Sequence, residues 1–231
     1  RAPFADMLQE FGGLDGVRTR IAEILDVAPD TDPVAVLADA CAEDAFDGPG
    51  LRHAASVLAA GSSGDAKRAV LVGDWLAGDS DTRRESFDAY ALAYLTQQGE
   101  LRKQLATKAI RENHPDSDAA LHAEGERLLS VRELLRKADL YQANNALIRL
   151  AAELVSRYEA RKAASGRLDY DDLIARTRAL LRGDGAAAWV LFKLDGGIDH
   201  VLIDEAQDTN PEQWDVVLAL VEEFFAGMGA G

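Results

Sequence analysis

The sequence is poor in cysteine and in aromatic side chains, and both absences exclude classes of protein. Among 231 residues there is one cysteine, Cys41, and 6% are aromatic. A single cysteine excludes an intrachain disulfide and a Cys/His metal cluster, and it suits a reducing cytoplasm. No apolar run approaches the roughly 18 residues that span a bilayer, so we expect no membrane partner. Abundant Ala and Leu favour helices over strands.

The chain also lacks positive charge, since its formal net charge is −15. Because a dedicated nucleic-acid domain is usually basic, this total argues against tight DNA binding by the chain alone. Residues 96–182 are the exception, with 16 Lys/Arg against 13 Asp/Glu. The alternative interpretation of this section is a solvated helical face of mixed charge. Its candidate DNA contacts form two groups: Arg102, Lys103, Lys108 and Arg111, then Arg157, Arg161, Lys162 and Arg167.

A further absence is the phosphate-binding loop G-x-x-x-x-G-K-[ST]. The nearest glycine cluster, residues 61–68, has the wrong spacing and no Gly-Lys-Ser/Thr. We interpret it as a flexible polar loop between helices. The chain alone therefore lacks the usual means of holding nucleotide phosphates.

Apolar residues at helical spacing predict a mainly helical protein. Asp32 is the expected N-cap of a helix that begins at Pro33. Two long helices are predicted over 116–137 and 140–164, packed as an antiparallel hairpin because few residues separate them. The other predicted helices cover residues 14–27, 33–42, 51–60, 66–76, a segment from about 80 through Tyr94, 169–181, 186–194 and 212–225.

The sequence predicts one strand, Asp199–Asp204, which delivers Asp204 and Glu205 to its carboxyl end. In nucleotide-binding α/β sheets, ligands bind outside that end of the strands. One carboxylate there can hold Mg²⁺, and the other can orient or deprotonate the attacking water. Gln207 and Asp208 follow as a polar sensor and a further acid. The alternative is an acidic helix N-cap after a buried strand.

Two segments resemble motifs of one family. Asp204-Glu-Ala-Gln-Asp208 resembles the Walker B box, motif II, of superfamily 1 DNA helicases of the UvrD/Rep type. Leu168-Asp-Tyr-Asp-Asp-Leu173 resembles the Leu-Asp-Phe-Asp-Asp-Leu box upstream of motif II in these helicases. Residues 193–200 and 211–214 are more particularly similar to the AddA branch of helicase-nucleases. Ala206 replaces the Phe usual in UvrD and also indicates that branch.

The resemblance implies an ATP-dependent DNA helicase, with exonuclease activity, that acts in double-strand-break repair. It implies ATP and Mg²⁺ as cofactors, single-stranded DNA or duplex ends as substrate, and an AddB-type partner subunit. It further implies that Asp204 holds Mg²⁺, Glu205 activates water, Gln207 senses the γ-phosphate and Asp208 is an additional member of the site. No role follows for Tyr170, Asp171 and Asp172, although acids in a first helical turn favour the helix dipole.

The expected fold is mainly α. Residues 1–165 are expected to form a helical 1B-type subdomain, followed over 166–231 by a partial RecA-like α/β piece with one strand. We interpret the chain as an inactive fragment running from within the 1B subdomain to just past motif II. The strand has no partner strand in the chain, so residues 196–231 are expected to be rearranged, poorly ordered or paired with another copy.

The alternative function is a protein-interaction module over residues 1–165 that docks a partner subunit with little DNA contact. The acidic section 1–95 favours this role for its own surface. Convergence of the two basic groups on one patch would favour DNA.

Overall fold

The computed structural model describes residues 2–182, 189–190, 193 and 200–226. These residues are mainly helical, as predicted. The chain forms two compact units: the helical unit, Phe4–Ala151, and the C-terminal unit, Arg1–Pro3 with Ala152–Gly231. The domain boundary that we predicted after residue 165 stays a prediction.

The described helices are α1 Ala2–Glu10, α2 Leu14–Leu25, α3 Pro33–Ala40, α4 Gly48–Ala59, α5 Ser63–Ala77, α6 Ser80–Glu85, α7 Phe87–Tyr94, α8 Lys108–Asn113, α9 Pro115–Ser165, α10 Tyr170–Arg182 and α11 Pro211–Ala226.

Short polar side chains define several helix starts in the helical unit. Asp32 accepts a hydrogen bond from the Val34 amide at 3.2 Å, with Pro33 at the first helical position, as predicted. Asp79 caps α6 by accepting from the Thr82 amide at 2.9 Å. The predicted cap at Ser80 or Asp81 was therefore one or two residues late. Each such cap satisfies a backbone N–H that has no partner within the helix.

The glycine cluster near residue 61 is a helix start, so our prediction of a flexible loop was wrong. The Ser62 hydroxyl accepts from the Asp65 amide at 3.3 Å, and the Asp65 carboxylate accepts from the Ser62 amide at 2.9 Å. This reciprocal pair is a capping box, which requires a short polar residue and an acceptor three positions later. The second carboxylate oxygen of Asp65 accepts from the Thr107 amide at 3.1 Å. The segment thus joins α5 to the loop that precedes α8.

An aromatic row forms the centre of the helical unit. The rings of Trp75 and Tyr90 stack with centroids 3.9 Å apart. Phe46 packs against Trp75 at 4.8 Å, and Tyr94 meets the Tyr90 ring edge-on at 5.2 Å. Cys41 is fully buried beside this row, and its thiol packs as part of the core. These four aromatic side chains therefore bury a large apolar surface in one place.

Arg83 is a buried cation that closes the ends of two helices. Its guanidinium donates to the carbonyl oxygens of Cys41, Trp75 and Leu76 at 3.3–3.4 Å. It also pairs with the Glu43 carboxylate at 2.6 Å, and this hydrogen bond lowers the pKa of Glu43. The last carbonyls of a helix have no partner within the helix, so a buried arginine can satisfy several of them together.

Residues 115–165 form one helix, α9, and the predicted hairpin is wrong. The segment Lys137-Ala-Asp-Leu140, where we placed the turn, contains neither glycine nor proline. Nothing in it terminates a helix, and short spacing between apolar faces is no substitute for a break. Ala138 within this segment and Tyr141 directly after it are both buried, and the Tyr141 hydroxyl accepts from the Asp30 amide at 3.1 Å. Packing thus continues through the segment.

The predicted strand is also absent where the structure describes it. Residues 200–203 have no regular secondary structure, and the Leu202 side chain is 93% exposed. Asp199 lies outside the described residues. The described part of the chain offers no neighbouring strand, and an unpaired strand leaves its backbone groups without partners.

The predicted helix 186–194 lies largely outside the described residues, although residues 189, 190 and 193 are helical. Two further sequence predictions lie wholly outside them: a helix C-cap at Gly183 and a turn at Gly196–Gly197. Among the helices that the structure describes, none has the length and apolarity needed to cross a membrane.

Candidate functional site

The candidate catalytic residues Glu205 and Gln207 and the candidate cofactor ligands Asp204 and Asp208 lie in one short segment, the acidic turn, Asp204–Asp208. Ala206–Asp208 form a single 3₁₀ turn, closed by the Asp208 amide donating to the Glu205 carbonyl at 2.8 Å. Glu205 has φ 48° and ψ 42°, in the left-handed region. A non-glycine residue held there carries a cost of about 1–3 kcal/mol, and such residues cluster at functional sites. Asp26 and Asp30 adopt the same conformation away from the acidic turn, so the backbone of Glu205 supports a site only together with its side chains.

Side chains within the acidic turn contact one another. The Gln207 amide nitrogen donates to the Glu205 carboxylate, and the Asp204 carboxylate accepts from the Glu205 amide at 2.9 Å. All four candidate side chains are exposed. The structure thus brings Glu205 and Gln207 together and leaves the carboxylates open to a ligand.

The acidic turn leads directly into α11. The Asn210 side chain accepts from the Gln213 amide at 2.8 Å, and the Gln213 side chain accepts from the Asn210 amide at 3.0 Å. Pro211 takes the first helical position, where its missing N–H costs nothing. The positive end of the α11 dipole therefore lies next to the acidic turn, where it favours bound negative charge.

The oxygen donors of the acidic turn match one kind of metal ion. Carboxylates are the protein ligands that Mg²⁺ prefers, and it commonly takes one or two of them while phosphate and water complete its shell. Asp204 and Glu205 supply such a pair. No group of three or more His, Cys, Asp or Glu side chains suited to a metal occurs among the described residues. The donor set therefore fits Mg²⁺ that is shared with a nucleotide, and it does not make a complete protein cage.

The Leu168–Leu173 box begins α10. Asp169 accepts from the Asp172 amide at 2.9 Å, and Asp172 accepts from the Asp169 amide at 3.1 Å, so the two acids cap each other. Lys162 of α9 joins them: its ammonium is 3.0 Å from Asp169, contacts Asp172, and is 3.1 Å from Glu159. Tyr170, in contrast, is 85% exposed. Asp169 and Asp172 therefore have a structural role that their sequence pattern only partly indicated.

The first basic group belongs to the helical unit, and the described contacts engage part of it. Arg102 donates to the Leu92 carbonyl at 3.2–3.3 Å, and Lys108 lies 3.6 Å from Glu112. Lys103 is exposed and Arg111 is half-buried. Two of the four cations thus already serve contacts within the unit.

The second basic group belongs to the C-terminal unit, and it too contains both ion-paired and exposed cations. Arg157 pairs with Glu153 at 2.6 Å, and Lys162 is 8% exposed within its carboxylate cluster. The contacts of Lys162 favour an internal ion-pair role over phosphate binding. Arg161 and Arg167 are exposed. Because the two groups belong to different units, their convergence on one patch stays a prediction.

The sequence reasoning missed one feature of this unit. Asp215 on α11 pairs with Arg178 at 3.2 Å and with Arg182 at 3.1 Å. Arginines four residues apart share one helix face, and an acid on the next amphipathic helix is their natural partner. The spacing of the two arginines was visible in the sequence, but the spacing does not identify the acid that they contact.

Comparison with known proteins identifies the family. The family model described as UvrD/REP helicase N-terminal domain matches residues 65–226, which include both boxes and most of the chain. The chain belongs to this family. No solved structure matches it.

Three curated relatives illustrate the likeness. "ATP-dependent DNA helicase UvrD1" of Mycobacterium tuberculosis is 37% identical over 84 residues, which are 36% of this chain and 10% of that protein. "RecBCD enzyme subunit RecB" of Mycolicibacterium smegmatis is 36% identical over 95 residues, 40% of this chain and 8% of that protein. "Probable DNA helicase II homolog" of Mycoplasma genitalium is 34% identical over 101 residues, 42% of this chain and 13% of that protein. The match thus spans only 8–13% of the relatives' lengths.

Proposed function

We propose that this chain is a segment of an ATP-dependent DNA helicase and that the acidic turn is its ATP-hydrolysis site. The observation that carries the proposal is the family match over residues 65–226, which includes a turn of exposed, mutually contacting acid and amide side chains. Two of the three relatives described above are named as DNA helicases, and they support the same assignment.

In this proposal each residue of the turn has one task. Asp204 holds Mg²⁺, which when bound neutralises charge on the phosphates. Glu205 accepts a proton from the attacking water or orients it. Gln207, which donates to the Glu205 carboxylate, releases that contact to sense the γ-phosphate. Asp208 completes the acidic surface. The sequence has no phosphate loop, so the isolated chain should not hydrolyse ATP.

The test is Glu205→Gln in the full-length protein that contains this chain. The substitution keeps shape and removes the base, so kcat for DNA-stimulated ATP hydrolysis should fall by at least about 100-fold. Glu212→Gln, seven residues later on α11, is the matched control and should retain activity. A fall in kcat smaller than about tenfold for Glu205→Gln would show that the Glu205 carboxylate takes no part in the chemical step. DNA binding, measured separately, shows that the variant is folded.

The repair pathway is a finer part of the proposal. We infer a helicase-nuclease of the AddA type that acts in the bacterial cytoplasm on broken DNA with an AddB-type partner. The supports are Ala206 in the acidic turn and the likeness to a protein named as a RecBCD subunit. Co-purification of the full-length protein with a partner subunit, together with exonuclease activity on duplex ends, would test it. A monomeric helicase without nuclease activity would point to the UvrD branch instead.

DNA contact by this chain is the next part of the proposal. Arg161 and Arg167 are the exposed cations of the second basic group, and we propose that they contact phosphates. Anisotropy titration with single-stranded, duplex and forked DNA should show binding that weakens with salt, because counterions are released. Arg161→Glu with Arg167→Glu should reduce the salt slope by about two. The exposed Arg149→Glu serves as the control.

A second candidate function is docking of the partner subunit by the helical unit. An open groove of about 690 Å³ lies in this unit, and α3, α6, α7 and α9 contribute its walls. Val34, 65% exposed, lies on it beside Leu37 and Leu135, and charged side chains surround them. Apolar side chains in a charged rim are typical of protein interfaces. If the chain binds no DNA at low salt and Val34→Asp abolishes partner binding, docking is the function of this unit.

A further inference from the structure

The acidic turn has few contacts beyond itself. Within the described residues, three hydrogen bonds of Asp204–Asp208 join members of the turn to one another: Glu205 to Asp204, Gln207 to Glu205, and Asp208 to Glu205. A fourth comes from the next residue, since the Thr209 amide donates to the Ala206 carbonyl at 3.3 Å. Such short-range contacts fix the local conformation, but they cannot fix where the turn lies relative to the rest of its unit. That placement must come from the elements to which the turn is joined.

The described element that follows the turn is α11, and the join is tight. Asn210 and Gln213 exchange hydrogen bonds at 2.8 and 3.0 Å, and the Trp214 amide donates to the Asn210 carbonyl at 3.1 Å. Only Thr209 separates Asn210 from the turn. Whatever holds the first turns of α11 therefore also holds the acidic turn.

Asp215 holds that part of α11. One of its carboxylate oxygens meets Arg182 at 3.1 Å and the other meets Arg178 at 3.2 Å, so both oxygens are occupied. The contact lies on the α10–α11 interface: Leu181, between the two arginines, and Ala219, one helical turn after Asp215, are both buried. Two cations on one carboxylate constrain direction as well as distance.

The opposite end of α10 is also anchored. Asp169 and Asp172 cap the helix and meet Lys162 of α9, whose ammonium also lies 5.0 Å from the Tyr158 ring centroid. The Tyr158 hydroxyl donates to Asp169 at 2.9 Å. α10 is therefore fixed at its start by Lys162, while its last two turns carry the arginines that bind Asp215.

We infer that Asp215 is a positioning residue, which holds the acidic turn in its working place by tying α11 to Arg178 and Arg182 of α10. The inference rests on the proposed function of the turn. The three side chains are between 31% and 49% exposed, so their contribution to global stability is small and their effect is on geometry. A misplaced catalytic group lowers the rate of the chemical step more than it weakens substrate binding.

The experiment compares variants of the full-length protein in steady-state ATP hydrolysis. Asp215→Arg should lower kcat about three- to tenfold and change KM for ATP less than about twofold. The exchanged set, Asp215→Arg with Arg178→Glu and Arg182→Glu, should recover most of kcat because opposite charges again face each other. Arg176→Glu is the matched control, since Arg176 lies on the same helix and has no ion pair among the described residues. Its kcat should be unchanged.

Hydrogen exchange on the 231-residue chain gives a readout that does not depend on catalysis. Amides of α11 should exchange about three- to tenfold faster in Asp215→Arg than in Arg176→Glu, with recovery in the exchanged set. If neither kcat nor exchange differs from the control, or if the exchanged set recovers neither, the inference is wrong. If Glu205→Gln retains full activity, the proposed function fails instead, and the exchange result still decides whether Asp215 anchors α11.

Discussion

Replacing Glu124 by glutamine should destabilise the helical unit by about 2–3 kcal/mol. The Glu124 side chain is 3% exposed and accepts two hydrogen bonds from Arg127 at 2.7 Å and one from the Tyr90 hydroxyl at 2.9 Å. Arg127 also donates to the Ala40 carbonyl at 2.9 Å. The substitution thus leaves a cation beside the aromatic core without its counter-charge.

The size of the effect follows from how much of the pair is buried. Breaking a fully buried ion pair costs about 3–5 kcal/mol. Arg127 is 20% exposed, so water relieves part of this cost, and the glutamine oxygen keeps one acceptor. At roughly 2–4 °C per kcal/mol for a unit of this size, the melting temperature should fall by about 4–12 °C.

Urea and thermal unfolding followed by circular dichroism would measure the loss. Glu126→Gln, an exposed position two residues away on α9, is the control and should stay within about 0.5 kcal/mol. A double-mutant cycle with Arg127→Met isolates the coupling between the two charges. A Glu124→Gln variant as stable as Glu126→Gln would refute the view that this buried pair organises the core.

Three further predictions concern the two units. Burial raises the pKa of Asp65, but hydrogen bonds from Ser62 and Thr107 outweigh it and lower the pKa below 3.8. The stabilisation is complete above about pH 4 and is lost as pH falls through the lower folded value, so Asp65→Asn should flatten the acid limb of a stability–pH curve. Lys162→Met should lower the free energy of unfolding, measured in urea, by about 1–3 kcal/mol. Arg161→Met, at an exposed position, should lower it by less than about 0.5 kcal/mol. Asp139→Pro should lower the free energy of unfolding by at least about 3 kcal/mol because it interrupts α9. A variant with unchanged stability would instead support the predicted hairpin.

Local signals in the sequence were sufficient for much of the fold. Asp32-Pro33 and Asn210-Pro211 mark helix starts because caps and first-turn prolines act within a few residues. The long helix was misjudged because two apolar segments are equally compatible with a hairpin and with one helix that packs along its length. The lack of glycine and proline over residues 137–140 was a local signal for one helix. The contact between Asp30 and Tyr141 shows that this helix packs through the segment.

The candidate site shows the same limit. The pattern around Asp204 identified which side chains share a segment, because they are adjacent in the chain. The pattern could not predict the left-handed backbone conformation of Glu205. Nor could it predict that residues 200–203 form no strand, since a strand depends on partner strands that the pattern does not contain. The contact between Asp215 and two arginines joins residues more than 30 positions apart, and no short motif encodes it.

The mutual capping of Asp169 and Asp172 affects how variants of this protein should be interpreted. These acids belong to one of the boxes by which the family is recognised, yet their contacts here are those of a helix start bound to Lys162. A genetic screen would score their substitutions as loss of function even if every catalytic group were intact, because misfolded protein is removed by proteolysis in cells. Protein abundance must therefore be measured beside activity before any variant in this box is assigned to the chemistry.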